Sequence, residues 1–298
     1  MRDPLVWAVV VNWNGLEVLE PCLRTLLASS YPNLRVLVVD NASTDGSVEL
    51  ASEKFPSVLV AAQSSNRGYA AGVNAGLKLA LDEGADYVLL LNNDIEIDEG
   101  AVAALVEAAV AHPTSAFVGP MIYYADRPDV IWSAGGSVSF WSGNIRHLGL
   151  RERDEGQYGG VREVDYVTAC AVLAAAGAVR AVGPMDEAYY MYNEDTDWCV
   201  RAGRAGYTVL VAPGAKIWHK VSMSSGGGLT PFKIYHRLRS TRRFFSLYAR
   251  PYHWLGIVPM TAVRTACFAA RELFGGRGAN VTAVARGLWD SMTGRRRS

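Results

Sequence analysis

A few residues of this chain have both the type and the spacing to do chemistry, and Asp94 is the clearest of them. It stands in YVLLLNNDIEID, residues 87–98, where the uncharged apolar run 88–91 stops at Asn92-Asn93-Asp94. A continuous apolar run closed by turn-type residues reads as a strand buried on both faces. Open α/β sheets hold ligands at the carboxyl ends of such strands. A carboxylate there suits a hard divalent cation, which takes oxygen ligands and can bridge phosphates. The same three residues also suit a plain turn, and both readings stand at this point. Glu194 and Asp195 follow Asn193, the expected cap of a helix that ends near Gly206. A carboxylate there can take a proton from a hydroxyl, or merely complement the helix dipole. His219 is either a metal ligand or a structural histidine.

These side chains need a frame, and the hydrophobic pattern supplies one. Residues 6–11, 36–39, 58–62 and 87–92 read as strands, ending respectively at Asn12-Trp13-Asn14-Gly15, Asp40-Asn41, Asn66-Arg67-Gly68 and Asn92-Asn93-Asp94. Helical periodicity follows each: leucines 16, 19, 23, 26 and 27, a stretch through Lys54, the small-residue run 70–81, and 101–111. Alternating strands and helices imply a mainly parallel sheet with right-handed crossovers. Residues 117–119 read as a further strand. Beyond Pro120 the pattern weakens, and the Gly-, Ser- and aromatic-rich residues 132–160 read as hairpins and a mobile loop, with a poorly ordered or ligand-responsive segment at 135–149. Short strands are expected at 164–167, 208–212 and 216–219, a flexible loop at 222–228, and helices in about three pieces from Pro231 onward.

Several chemistries are set aside by what is missing. No GxGxxG follows the first strand, no GxxxxGK[ST] occurs and no GxSxG occurs, which argues against a dinucleotide site, a P-loop and a hydrolase elbow. The scattered Cys22, Cys170, Cys199 and Cys267 form no CxxC pair, so reduced thiols in a cytosolic protein are expected.

The ordered set VVNWNG, VVDNASTDGS, NRGYAAGVN, LLLNNDIEI, TAC and YNEDTDWCVRAGRAGY, then His219, resembles the GT-A glycosyltransferases of family 2, most of all bacterial rhamnosyltransferase-type members. The resemblance spans about residues 5–225. It implies an α/β GT-A fold and an inverting transfer of sugar from a nucleotide-diphosphate donor, possibilities including dTDP-rhamnose, to a glycan or lipid-linked acceptor in cell-surface glycan synthesis. It implies that Asp40 binds the base or ribose, with Asn12 and Asn14 at the same pocket. Asn66, Arg67 and Gly68 match a loop near the nucleotide, Asn74 lies one helical turn beyond, and Asn93 is grouped with this donor-binding set. Asn92 and Asp94 match the metal-binding DxD, with Asn in the first place, and His219 completes the site for Mg²⁺ or Mn²⁺. Asp195 matches the catalytic base and Glu194 a positioning acid.

Charge divides the chain. The formal net charge is zero, yet residues 231–298 carry 13 Lys/Arg against Glu272 and Asp290, a balance of +11. A domain of residues 1–230 with a basic, amphipathic helical tail of 231–298 is therefore expected. The tail reads as resting on the cytoplasmic face of the cell membrane, because its longest apolar stretch, 254–270, is interrupted by Arg264 and is too short to span. A packing or homodimer helix is the plainer reading of the same stretch. Two other functions are weighed. A nucleotidyltransferase would want a basic phosphate loop after the first strand, which Asn12-Trp13-Asn14-Gly15 is not. Nucleic-acid binding is suggested by Arg237, Arg239, Arg242 and Arg243 interleaved with Tyr235, Phe244, Phe245 and Tyr248. Helical spacing makes those aromatics core residues instead, and no nucleic-acid partner is expected.

Overall fold

The computed structural model describes residues 2–220 and 229–293. Four strands, β1 (Val6–Asn12), β2 (Leu34–Asp40), β3 (Leu59–Ala62) and β4 (Tyr87–Asn92), form a parallel half-sheet in the order β3-β2-β1-β4. Helices α1 (Leu16–Leu27), α2 (Ser47–Lys54) and α3 (Tyr69–Asp82) make its crossovers. The strand β1 explains why this half is stable. Its alternate residues serve two cores, as the two-residue repeat of a strand requires. Val6, Ala8 and Val10 pack with Leu19 and Leu23 of α1 and with Leu105 of α4 (Ala101–Ala111). Trp7, Val9 and Val11 pack with Val73 and Leu77 of α3 and with Trp198 of α6 (Glu194–Arg204). Each fully buried Val or Leu contributes about 1.5–3 kcal/mol. The closeness of α3 depends on small residues: a Cβ on Gly76 would come within 2.3 Å of a Val9 methyl.

The other half-sheet is mixed. Strand β5 (Ile95–Ile97) is followed by α4 and by β6 (Ser115–Tyr124), β7 (Arg127–Ser133), β8 (Gly136–Ser139), β9 (Asn144–His147), β10 (Arg162–Glu163) and β11 (Ala171–Ala175). After α5 (Ala176–Val182) and α6 comes β12 (Thr208–His219). Strand β11 runs antiparallel to both β4 and β6, and β12 runs parallel to β6 while pairing antiparallel with β5 and β10.

Four local expectations change. Residues 208–212 and 216–219 are one strand, with a register shift between Ala212 and Lys216 absorbing Pro213-Gly214. The strand at 117–119 is the middle of the longer β6. No strand runs through 164–167, because the chain changes partner there: Val164 donates to Val209 of β12, while Asp165 and Tyr166 turn to bond Gly136. Residues 135–149 are not loose. They form the β8–β9 hairpin, whose tip is held by the C-terminal helices. The loop expected at 222–228 lies outside the described residues.

The C-terminal part forms α7 (Pro231–Tyr248), a 3-10 turn at Pro251–His253, α8 (Trp254–Phe274) and α9 (Gly278–Thr293). Thr230 caps α7 by accepting from the Lys233 N–H. Phe244 and Phe245 are buried with Tyr189 and Ile257, so they are core and offer no stacking surface. Arg243 is paired with Asp186 at 2.6 Å, and Arg242 donates to the Ser291 carbonyl.

Candidate functional site

Strand register brings the polar ends together. Asn12 lies beside Asp40 across the β1–β2 pair, and Asn92 beside Val11 across β1–β4. At this edge the side chains build a closed network. Asn93 Nδ2 donates to Asn12 Oδ1 (2.7 Å), and Asn12 Nδ2 donates to Asp40 Oδ1 (2.8 Å) and Ser47 Oγ (2.9 Å). Asp40 also accepts from the Ser43 hydroxyl and the Ser43 N–H. Asp45 accepts from the Leu16 N–H and the Ser47 hydroxyl, and Asn14 Oδ1 from the Thr44 N–H. Gly15 covers this network so closely that a Cβ there would lie 2.1 Å from Asn93 Nδ2. Asn14 and Ala42 both adopt left-handed backbone at φ 47° and 60°, a conformation kept only where surroundings enforce it. Asn12 and Asp40 are enclosed and committed to the loop they fold, a place the motif does not reveal.

The neighbouring motif is likewise turned toward structure. Asn66 Oδ1 accepts from the Gly68 N–H, which shapes the loop into α3. Asn74 spends its amide on both backbone groups of Met185, at 2.9 Å each, and Arg67 pairs with Glu187 at 2.7 Å. These two residues, expected near the nucleotide, clamp the segment that leads to Glu194.

The second group is less complete. The β5–β12 pairing sets His219 opposite Ile95, so its Nε2 lies 3.2 Å from Asp94 Oδ1. Asn92 Oδ1, Asp94 Oδ1 and His219 Nδ1 are each buried with no hydrogen-bond partner. Buried polar atoms are normally satisfied, so unpartnered atoms on Asn92 and His219, with Asp94 Oδ1 facing only the His219 ring, leave room for a cation. Among the described residues no three acids, histidines or cysteines converge on one point. A metal on Asp94 and His219 would therefore need ligands beyond the acids, histidines and cysteines of the described residues. Trp132 closes this pocket. Its ring meets His219 edge-on at 4.8 Å and His147 at 4.7 Å. His147 is pushed down to about 4 by burial, helped by Arg237 and His219, and stays neutral.

Glu194 and Asp195 sit at the start of α6. Asn193 occupies the N-cap position, but it is left-handed (φ 65°), as is Tyr192 (φ 70°), and its side chain makes no cap. Asn193 Nδ2 instead donates to Thr241 Oγ1 of α7. Ser240 of α7 donates to the Met191 carbonyl at 2.7 Å, and Tyr248 to Asp197 Oδ1 at 2.6 Å. The last helices thus hold the turn that aims the acids. Asp195 accepts from the Thr196 N–H (2.6 Å) and the Ala169 N–H (3.3 Å). Burial raises the pKa of both acids, and the Asp195 charge raises Glu194 further. Glu194 Oε2 has no partner.

Tyr69, which sequence reasoning passed over, joins the two acidic groups. Its hydroxyl donates to the Ala169 carbonyl at 2.6 Å. Burial holds that hydroxyl well above its usual range, and Glu194, Asp195 and Asp94 all add to the effect. Arg237 had been weighed only for nucleic acid. It is one turn before Ser240-Thr241 on α7, is exposed, and acts electrostatically on Tyr192, Tyr166 and His147. Arg237 thus places an exposed guanidinium within electrostatic range of the residues that flank α6 and the Trp132–His147 contact.

Comparison with known proteins follows this geometry. A model of "Glycosyl transferase family 2" matches residues 7–172. The N-acetylglucosaminyl-diphospho-decaprenol L-rhamnosyltransferase of Mycobacterium tuberculosis is 30% identical over 237 residues, 73% of this chain and 76% of that protein. The dTDP-rhamnosyl transferase RfbF of Shigella flexneri is 25% identical over 244 residues, covering 79% and 78%. Among solved structures, the mannosyltransferase PcManGT of Pyrobaculum calidifontis, in complex with GDP-Man and Mn²⁺, superposes with a TM-score of 0.62 at 16% identity over 99% of this chain and 89% of its own.

Proposed function

Because the chain belongs to glycosyl transferase family 2, with the GT-A fold its motifs imply, we propose that it is an inverting transferase that moves rhamnose from dTDP-rhamnose to a hydroxyl of a lipid-linked glycan at the inner face of the cell membrane. The observation that supports this reading is the presence of two acidic groups of different kind: a carboxylate–imidazole pair with unpartnered buried atoms beside it, and two buried acids opening α6, of which Asp195 accepts from the N–H of Ala169, whose carbonyl takes the Tyr69 hydroxyl.

Asp195 is the base. Burial raises its affinity for the proton it must take, while its two backbone hydrogen bonds favour the ionised form and fix its direction. The acceptor oxygen bonds to the anomeric carbon from the side opposite the leaving group. Its proton passes to Asp195 and the sugar–phosphate bond breaks, releasing the nucleoside diphosphate. Glu194, whose pKa is raised by burial and by the Asp195 charge, positions the acceptor. Asp94 and His219, with Asn92 beside them, would hold Mg²⁺ or Mn²⁺. When bound, the cation neutralises charge on the leaving diphosphate. Arg237 pairs with the same diphosphate, since a guanidinium suits phosphate oxygens. Asp40, through the loop it folds, shapes the base and ribose end.

A donor screen with dTDP-, UDP- and GDP-sugars in Mn²⁺ or Mg²⁺, scoring released nucleoside diphosphate and the anomeric configuration of the product, tests the reading. Acceptor-dependent release from dTDP-rhamnose is expected. Release of pyrophosphate instead would overturn it.

A further inference from the structure

Helix α8 has two apolar faces, and the protein covers one. On the covered side Ile257 is buried against Gly143, and Arg264 donates to the Ser142 and Gly143 carbonyls at the tip of the β8–β9 hairpin. On the opposite side Leu255, Val263, Leu273 and Phe274 are 82%, 61%, 64% and 91% exposed. At 100° per residue, these four share one arc with Val258, Pro259, Ala262, Ala266 and Ala270, and no charged side chain falls on it. Scattered exposed apolar residues are ordinary, but a continuous stripe of this size marks a contact surface.

We propose that this face docks on an anionic lipid bilayer. The occupant follows from what surrounds the stripe. Arg250 precedes α8, and Arg271 and Arg277 close it, while the acid Glu272 is held by Arg277 at 2.6 Å. Residues 231–298 carry a balance of +11. A second copy would bring the same charge against itself, whereas anionic headgroups complement it. Nucleic acid has no use for an uncharged apolar arc. Trp141, 64% exposed at the hairpin tip, stacks by Tyr252 at 5.7 Å, and such amphipathic rings favour the membrane–water boundary. Among the described residues no helix is long and apolar enough to cross a membrane, so α8 lies along the surface. The hairpin it grips ends at His147, against Trp132 and hence His219. The surface deepens the sugar-transfer reading and rests on it for its purpose: a lipid-linked acceptor meets the site where its anchor is embedded.

The test uses the full chain and vesicles of phosphatidylcholine with or without phosphatidylglycerol. The protein should sediment with phosphatidylglycerol vesicles, and raised salt should weaken this. Leu255→Glu with Phe274→Glu should bind about ten-fold or more weakly, with an unchanged melting temperature and unchanged transfer to a short soluble acceptor. No vesicle binding by the parent protein overturns the proposal. So does equal binding by the double variant, or a double variant that turns a dimer into a monomer, which would make the face a subunit contact. Vesicle binding without sugar transfer would instead remove the enzymatic reading and leave the surface standing.

Discussion

Two regions at the same end of the sheet are built on opposite terms. Around Asn12 the amides and carboxylates satisfy one another, from Asn93 through Asp40 to Asp45. Around Asp94 and Glu194, Asn92 Oδ1, His219 Nδ1 and Glu194 Oε2 are buried without a partner, and Asp94 Oδ1 meets only the His219 ring. The first region is finished before any ligand arrives. The second reaches full hydrogen bonding only with something added. The difference teaches that a motif residue can be spent on holding walls, and that incompleteness, more than polarity, singles out a candidate site.

Mutations can break or sharpen this contrast. The largest effect is expected in the incomplete region. Asp195→Asn should lower kcat by about 10²–10⁴-fold with donor binding nearly intact, measured by turnover and calorimetry. Glu194→Gln should be milder, and the reverse order would exchange the two roles. Asp94→Ala should weaken Mn²⁺ binding by about 10²-fold, seen by calorimetry with the metal alone. Full turnover of the parent protein in excess chelator would remove the cation from the reaction. Arg237→Ala should raise the donor KM about ten-fold while kcat changes less. An unchanged KM would leave Arg237 as a surface residue.

The finished region should respond in stability first. Gly15→Ala forces a methyl into the Asn12–Asn93 contact and should cost about 1–3 kcal/mol in chemical denaturation. Asp40→Ala should lose stability as well as donor affinity, because it strands the buried Asn12 amide. A variant that binds donor poorly at full stability would mean direct contact alone. The smallest effect is a pH slope. Burial, with the Asp195 charge beside it, raises the folded pKa of Glu194 above the ordinary 4.5. Above that ordinary value the unfolded chain releases a proton that the folded chain keeps. Stability therefore falls as pH rises toward the raised value, and is fully present below the ordinary one. Glu194→Gln removes this loss, so its melting temperature should gain on the parent as pH rises. A constant offset would say that Glu194 is not held neutral.

What the sequence disclosed was set by period and order. The runs at β1, β2 and β4 are apolar enough to declare buried strands, and the motifs arrive at their ends in sequence. The mixed half was harder. Residues 132–160 have no period, since the β8–β9 hairpin is stabilised by α8, more than a hundred residues later. Partners were harder still. Nothing local says that Asn74 bonds Met185, that Asn12 is enclosed, or that Asn193 turns from capping α6 to meet Thr241. A side chain with two good uses is resolved only by what the fold brings beside it.

The grip of α7 on the Tyr192–Asn193 turn also has a meaning in time. A ribosome delivers the strands of the sheet before α7, and domains fold as they emerge. A nascent chain that stops short of Ser240 has its strands, its Asp94 and its loop at Asp40. It lacks the bonds from Ser240, Thr241, Arg243 and Tyr248 that secure residues 186–197. Glu194 and Asp195 are thus synthesised before the contacts that orient them can form, and the Tyr192–Asn193 turn is secured only once α7 has followed.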